Sequence, residues 1–142
     1  MFIENDSTID IVIYYKKMGY HYLAYSENEF KDEDLTDKER EEFKKLTVKM
    51  KQLTWGLYNE LQDLSVDVDD EGNRKFNYKK YKEIRLIKLI ADWDATIKDK
   101  KGDDVKVNPI EKTIKSMSPE IAESLLNAYD QIMYLSEEEE KK

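Results

Sequence analysis

The chain has 142 residues, of which 39% are hydrophobic and 39% charged, and its formal net charge is −8. One ordinary domain fits this length, and the acidic balance argues against nucleic acid as a partner, because phosphates require a concentrated basic surface. The lack of cysteine excludes disulfides, thiolate nucleophiles and cysteine metal sites.

No segment predicts a membrane span or a signal peptide. The longest apolar stretch, residues 9–15, is far shorter than the roughly 20 residues that a spanning helix needs. Residues 1–6 lack the basic start and apolar core of a signal peptide. We therefore expect no membrane partner and a cytoplasmic location.

The first 25 residues predict a β-hairpin. Apolar side chains alternate over residues 9–15 as in a strand. Gly19 then supplies a turn, and residues 20–25 form the returning strand. A single helix over residues 14–25 is the alternative, which Gly19 disfavours by only about 1 kcal/mol.

Two capped helices are predicted between residues 36 and 64. Thr36 and Glu39 form a capping box that opens a short charged helix to about Lys45, and residues 47–51 alternate like a brief strand. Thr54 is the N-cap of the second helix. Its predicted inner face carries the apolar residues at three-residue steps, namely Trp55, Tyr58, Leu61 and Leu64, with Leu57 beside them.

The second half of the chain predicts three more helices. Residues 66–73 read as an acidic loop, and the strongest helix runs from about Asn77 to about Trp93 as the central element of the core. A charged loop over residues 98–104 leads to a short helix with Pro109 at its first position. The last helix opens at Ser118 and Pro119, again with a capping hydroxyl before proline.

These elements predict a mainly α protein, a small helical domain with a short N-terminal β-hairpin. We expect one domain over residues 1–135, with the hairpin and charged helix in 1–46 and a helical core in 47–135. Residues 136–142 are expected to form a flexible acidic tail.

The sequence around the first two candidate sites argues against a catalytic or metal-binding role. His21 is the single histidine and lies between two tyrosines in a predicted strand, so we interpret it as an ordinary strand residue. Asp67, Asp69 and Glu71 resemble the start of a calcium-binding loop, but Tyr78 occupies the twelfth position, where a bidentate glutamate is required. We interpret this loop as a solvated turn.

The evidence for a catalytic carboxylate pair or a phosphate-binding loop is also weak. Asp92 and Asp94, placed in a helix, would point about 200° apart and could not face one substrate. The glycines stand singly, without a phosphate-binding loop. We therefore expect a protein that is not an enzyme, with no catalytic, cofactor-binding or metal-binding residues.

The tyrosines of the first 25 residues leave two interpretations open. Tyrosine combines a large contact area with a polar tip, which is typical of binding surfaces. A hairpin with one half-solvated face would carry tyrosine for the same reason. The residues concerned are Tyr14, Tyr15, Tyr20, Tyr22 and Tyr25.

Four segments in order resemble one family. Residues 53–62, LTWGLYNELQ, are similar to the "LTWGEYNEIQ" style opening of tail assembly chaperones of long-tailed bacteriophages. An acidic glycine-containing loop follows at 69–72, and then a helix that ends in tryptophan at 86–94. Residues 101–122 are similar to the family's glycine loop and proline-containing run. The resemblance covers residues 47–133, whereas residues 1–46 match no segment of it.

The resemblance implies a non-enzymatic chaperone of the host cytoplasm. It would bind and solubilise the tape measure protein and help to recruit tail tube subunits, and a homo-oligomer is a further assembly to consider. The alternative is a structural virion protein, such as a head–tail connector or a tail completion protein. A third hypothesis, an enzyme or small regulatory protein, would require a deep polar pocket that contains His21 or several carboxylates.

Overall fold

The fold is built on a central antiparallel sheet with helices packed against it. The computed structural model describes residues 1–4 and 6–134. The strands are β1 Thr8–Met18, β2 His21–Ser26, β3 Lys44–Lys51, β4 Val66–Val68, β5 Arg74–Phe76, β6 Ile90–Trp93, β7 Thr96–Lys98 and β8 Asp104–Lys106. The helices are α1 Glu27–Asp32, α2 Asp37–Glu41, α3 Trp55–Leu64, α4 Tyr78–Leu89, α5 Glu111–Lys115 and α6 Pro119–Met133.

The central sheet has four strands in the order β2-β1-β3-β6, and every neighbouring pair is antiparallel. The predicted N-terminal hairpin is confirmed, with Met18 opposite His21. Gly19 and Tyr20 form its turn, and Gly19 has a φ of 64°. A type II′ turn requires this positive φ at its first central residue, where glycine carries no steric penalty.

The prediction of a mainly α protein was wrong, since 40% of the described residues are helical and 31% are strand, which makes an α+β fold. The predicted helix that reaches Trp93 ends at Leu89, and the chain continues directly as β6. An apolar run of this length suits a buried helix or a buried strand equally well. Pairing decides it here, because Val48 of β3 lies opposite Trp93.

Two boundaries in the first half also differ from the prediction. The charged helix ends at Glu41 instead of Lys45, because Lys44 already belongs to β3. The proposed division after residue 46 therefore falls inside a strand. Residues 66–73 are not simply a loop, since β4 and β5 pair across them as a small hairpin.

The helix starts that depend on capping side chains are mostly confirmed. The capping box of Thr36 and Glu39 is present, and Thr54 and Ser118 cap α3 and α6 through their hydroxyl oxygens. Pro109 was predicted wrongly, because α5 begins at Glu111.

One face of the sheet and the inner sides of α3, α4 and α6 share a single hydrophobic core. It contains residues from both predicted parts of the domain, such as Ile11 and Ile13 from the first and Leu89, Leu125 and Tyr129 from the second. The predicted acidic tail, residues 136–142, lies outside the described residues.

Candidate binding groove

A groove of about 360 Å³ lies between α3, α4 and the end of α6. Its walls are mostly aromatic and aliphatic, and its charged residues come from one arginine and one aspartate. We call it the aromatic groove. It is lined by Leu53, Leu61, Tyr78, Tyr81, Arg85, Leu89, Tyr129, Asp130 and Tyr134.

The orientation of α3 directs Leu61 into this groove and exposes a tryptophan. The Thr54 hydroxyl accepts the Leu57 amide hydrogen at 3.1 Å and fixes the start of the helix. Leu61 is buried, whereas the Trp55 residue is 76% exposed. The predicted single inner stripe was wrong, because steps of three residues drift around the helix and place Trp55 and Leu64 about 180° apart.

One strip of the α3 surface carries no charge, although Glu60 and Asp63 are exposed elsewhere on the same helix. Trp55 stacks on Tyr58 with the ring centroids 5.7 Å apart and the planes at 18°. Asn59 and Gln62 share this side of the helix, because residues i, i+3, i+4 and i+7 are neighbours on a helix surface. In a chain with 39% charged residues, an uncharged aromatic strip has the composition of a protein interface core.

The aromatic surface extends from α3 onto the β4–β5 hairpin and α4. Phe76 of β5 packs on Tyr81 with the centroids 5.3 Å apart, and Tyr78 lies 6.4 Å from the same ring. Phe76, Tyr78 and Tyr134 are themselves exposed. Exposed rings that are already packed against one another lose little conformational freedom when a partner covers them.

The floor of the groove is fixed by Arg85, which is only 7% exposed. Its guanidinium donates hydrogen bonds to both carboxylate oxygens of Asp130. It also lies 5.3 Å from the ring centroid of Tyr81 and 5.8 Å from that of Tyr129. The carboxylate and the two rings compensate the cost of burying this cation.

Tyr129 joins the groove to the sheet. Its hydroxyl donates to the backbone carbonyl of Lys51 at 2.9 Å, and the side chain is almost fully buried. Burial raises the pKa of Tyr129 to about 12, and the nearby Arg85 only partly opposes this effect. Tyr129 is therefore a neutral hydrogen-bond donor at neutral pH rather than a proton acceptor.

The structure places His21 on the surface. Its side chain is 84% exposed, and its Nδ1 lies 3.3 Å from Oε1 of Glu120. The same carboxylate oxygen accepts the Tyr22 amide hydrogen at 3.2 Å, and hydrogen bonds from backbone amides lower the pKa of Glu120. These contacts link β2 to the start of α6, so they contribute to the packing of the fold.

The acidic residues of the β4–β5 hairpin hold the hairpin together. Asp69 accepts the amide hydrogens of Glu71 at 3.0 Å and of Asn73 at 2.8 Å, and the Asn73 bond is the main cause of its lowered pKa. Asp67 accepts from the side-chain amide of Asn77 at 2.8 Å. Residues 1–4 and 6–134 contain no cluster of three side chains suited to hold a metal ion.

Asp92 and Asp94 lie in and just after a strand, so the prediction that they point apart was wrong. Residues two apart in a strand point to the same face, and both line one concave surface of the sheet. Asp92 accepts from the Lys106 ammonium at 2.8 Å, which lowers its pKa. Asp94 accepts the Thr47 amide hydrogen at 2.8 Å. Each carboxylate therefore already has a structural partner.

The tyrosines of the N-terminal hairpin do not form one patch. Tyr14 stacks on Phe30, with the centroids 4.2 Å apart, on the outer face of the sheet. Tyr15 and Tyr22 pack together on the opposite face, against the core. Tyr20 is fully exposed in the turn. The fifth residue, Tyr25, joins the outer-face rings of Phe30 and Phe43.

The uncharged strip on α3 was not predicted from the sequence, because the three-residue spacing placed Trp55 and Tyr58 on the predicted inner face of the helix. The spacing of Trp55, Tyr58, Asn59 and Gln62 is the signal that identifies it. These residues form an uncharged i, i+3, i+4, i+7 set, separate from the aliphatic set of Leu57 and Leu61.

No match was found among models of known protein families, curated proteins or solved structures. Across the part of the chain that the structure describes, every helix is too short or too polar to cross a membrane.

Proposed function

We propose that this chain is a non-enzymatic tail assembly chaperone of a long-tailed bacteriophage. It binds and solubilises the tape measure protein in the host cytoplasm and helps to recruit tail tube subunits. The observation that carries the proposal is the exposed Trp55 ring on α3, which stacks on the half-buried Tyr58. Both residues belong to segment 53–62, the first of the four segments that resemble the family in order.

The other resembling segments contribute to the hydrophobic core. Residues 86–94 form the end of α4 and all of β6, where the buried Trp93 donates its indole N–H to the carbonyl of Val107. Residues 118–122 form the capped start of α6. The resembling segments therefore include the exposed Trp55 as well as parts of the hydrophobic core.

Trp55 has the properties of an anchor residue for a protein partner. Tryptophan is among the residues most enriched at interface hot spots, where truncation costs about 2 kcal/mol or more. A client that covers this ring removes a large apolar area from water without burying a charge of α3. An elongated client that is insoluble alone would gain solubility from the acidic remainder of the chain.

Co-expression with the tape measure protein of the same genome tests the proposal. We expect the wild-type chain to keep that protein soluble and to co-purify with it. Trp55→Ala should weaken the complex about 30-fold, which corresponds to about 2 kcal/mol. Tyr20→Ala is the matched control, because it removes a fully exposed ring far from the groove in sequence.

Two results would contradict the proposal. One is a tape measure protein that stays insoluble and is not captured by the wild-type chain. The other is the recovery of this chain as a stoichiometric component of purified phage particles by mass spectrometry, which would favour a head–tail connector or tail completion protein.

A further inference from the structure

One edge of the central sheet is only partly covered by a neighbouring strand. β1 begins at Thr8, but β2 pairs with it only from Ile13 onwards, because β2 ends at Ser26. The Ser26 hydroxyl accepts the Glu29 amide hydrogen at 3.3 Å and begins α1, so the chain leaves the sheet at this point. On its other side, β1 pairs with β3 as far as Thr8. Residues 8–12 therefore have a described neighbouring strand on one side only.

The turn of the N-terminal hairpin fixes which backbone groups face the uncovered side. In a hairpin with a two-residue turn, the residues that flank the turn are joined by backbone hydrogen bonds, and here they are Met18 and His21. Backbone groups alternate in direction along a strand, so those of every second residue from Met18 point towards β2. By this count the N–H and C=O groups of Asp10 and Thr8 point past the end of β2. In the part of the chain that the structure describes, neither residue has a backbone partner on that side.

A groove of about 250 Å³ lies along this uncovered edge, between the start of α1 and the end of α6. We call it the edge groove, and it occupies the place that a longer β2 would fill. Two carboxylates and two carboxamides contribute to its lining, and none of its described lining residues is a lysine or an arginine. The lining residues are Asp10, Val12, Ser26, Glu27, Asn28, Ala128, Gln131 and Ile132.

The charge of the edge groove is negative. Asp10 pairs with Lys49 of β3 at 3.1 Å, and Glu27 pairs with Lys31 of α1 at 3.2 Å. Both pairs are solvent-exposed, so each is weak and leaves its carboxylate open to a further cation. Residues 27–34 add to the negative potential, since they contain five acidic side chains and one basic side chain. A basic segment would therefore be attracted to this edge.

The two sides of the edge groove differ in polarity. Asp10 lies on the outer face of the sheet, because its neighbour Ile11 is buried in the core and successive side chains point to opposite faces. α6 packs on the core face and contributes Ala128 and Ile132 to the lining, and Ile132 is 51% exposed. A strand placed in the groove would therefore turn alternate side chains towards a carboxylate side and an aliphatic side.

We propose that the edge groove binds an extended, basic segment of a partner protein, which adds to β1 as a strand in line with β2. The N–H and C=O groups of Asp10 and Thr8 bond to the backbone of the segment, as in other cases of β-strand addition. Its basic side chains face Asp10 and Glu27, and its apolar side chains face Ile132. At about 3.4 Å per residue, the uncovered edge accommodates about five residues. The site is separate from Trp55 and the aromatic groove, and it does not depend on the proposed function.

Charge disfavours two other occupants of this edge. An antiparallel pair of two copies centred on Asp10 would place the two Asp10 carboxylates opposite each other, and like charges directly opposite destabilise a strand pair. Residues 137–140 of the same chain are all glutamate, so the acidic lining would repel them. A basic segment of another protein avoids both repulsions.

Fluorescence anisotropy with a labelled short peptide of alternating lysine and valine tests the inference on the full-length chain. Two derivatives of equal charge carry N-methyl groups, one on the odd-numbered and the other on the even-numbered residues, so each lacks hydrogen-bond donors along one edge. Only one edge of an added strand faces β1. We therefore expect one derivative to bind about tenfold more weakly than the parent peptide and the other to bind within about twofold of it.

Neutralisation of the two carboxylates tests the charge of the edge groove. Asp10→Asn/Glu27→Gln should weaken binding of the lysine–valine peptide about fivefold, and the difference from the wild type should shrink as salt is raised. Asp70→Asn/Glu71→Gln is the matched control, because it removes the same charge from the β4–β5 turn, and it should change the affinity by less than about twofold. Circular dichroism and thermal unfolding establish that both variants are folded.

Three results would overturn the inference. The first is an equal affinity of the two methylated derivatives, since strand addition requires them to differ. The second is wild-type affinity for the lysine–valine peptide in Asp10→Asn/Glu27→Gln. The third is a dimer of the wild-type chain, measured by analytical ultracentrifugation, that the peptide dissociates, because the edge would then belong to a second copy.

Discussion

Two aromatic regions of this protein contain similar residues and differ in whether other elements cover them. The N-terminal aromatic cluster consists of Tyr14, Tyr25, Phe30 and Phe43, and Phe30 at its centre is only 8% exposed. In the second region, on α3, Trp55 is instead 76% exposed. The number of rings therefore does not distinguish a packing cluster from a contact surface.

Helices α1 and α2 cover the N-terminal aromatic cluster. The guanidinium of Arg40 lies 4.9 Å from the Phe30 ring centroid and donates to the backbone carbonyls of Phe30 and Glu33. These bonds tie the end of α1 to α2 above the rings. No described helix lies over Trp55 in the same way, so we expect the first region to contribute to stability and the second to binding.

The largest expected effect is on the N-terminal cluster. Phe30→Ala removes a buried ring that packs against three other rings, and it should lower the free energy of unfolding by about 3 kcal/mol. Trp55→Ala should change it by less than about 0.5 kcal/mol, because the ring is mostly solvated. Urea unfolding of both variants measures the difference, and equal losses would remove the distinction between the two regions.

A smaller effect is expected at the floor of the groove. Asp130→Asn leaves the buried guanidinium of Arg85 without a charged partner and should cost about 1–2 kcal/mol of unfolding free energy, less than a fully buried pair because Asp130 is partly exposed. Glu123→Gln is the control, since its partner Lys82 is at the surface and the pair should contribute under about 0.5 kcal/mol. Denaturant unfolding measures both variants. If Asp130→Asn and Glu123→Gln lower the free energy of unfolding by similar amounts, the Arg85–Asp130 pair does not stabilise the groove.

The smallest effect concerns Tyr129, whose pKa rises from 10.0 to about 12 on folding. The unfolded chain loses this proton first, so the stabilisation is complete below pH 10 and is lost as the pH rises towards about 12. Tyr129→Phe should flatten the fall in stability over that range and cost about 1 kcal/mol at neutral pH, through the hydrogen bond to Lys51. Unfolding curves at neutral and several alkaline pH values measure both effects. If the unfolding free energy of Tyr129→Phe falls with pH as steeply as that of the wild type, Tyr129 is not the group with the raised pKa.

Local signals in the sequence predicted local structure well. The N-caps Thr36, Thr54 and Ser118 and the turn at Gly19 each depend on residues within a few positions, so the pattern contains what is needed. Pro109 shows the limit of such signals, because the helix behind it begins two residues later, at Glu111.

Pairing between strands that are distant in the sequence could not be predicted in the same way. The identity of β6 depends on Val48 and Met50, which lie about 40 residues earlier in the chain. Nothing within residues 86–93 distinguishes a helix from a strand, and only the neighbouring strand does so. The exposure of Trp55 was not predicted for a geometric reason. Residues spaced three apart shift progressively around a helix, so they do not form one stripe.

The direct passage from α4 into β6 has a mechanical consequence. Leu89 ends the helix and Ile90 begins the strand, with no residue between them. Tyr78, Tyr81 and Arg85 of the groove wall therefore stand on an element whose other end is held by the ladder with β3. A force applied to this wall is transmitted directly into the central sheet, because no flexible loop lies between α4 and β6 to absorb it.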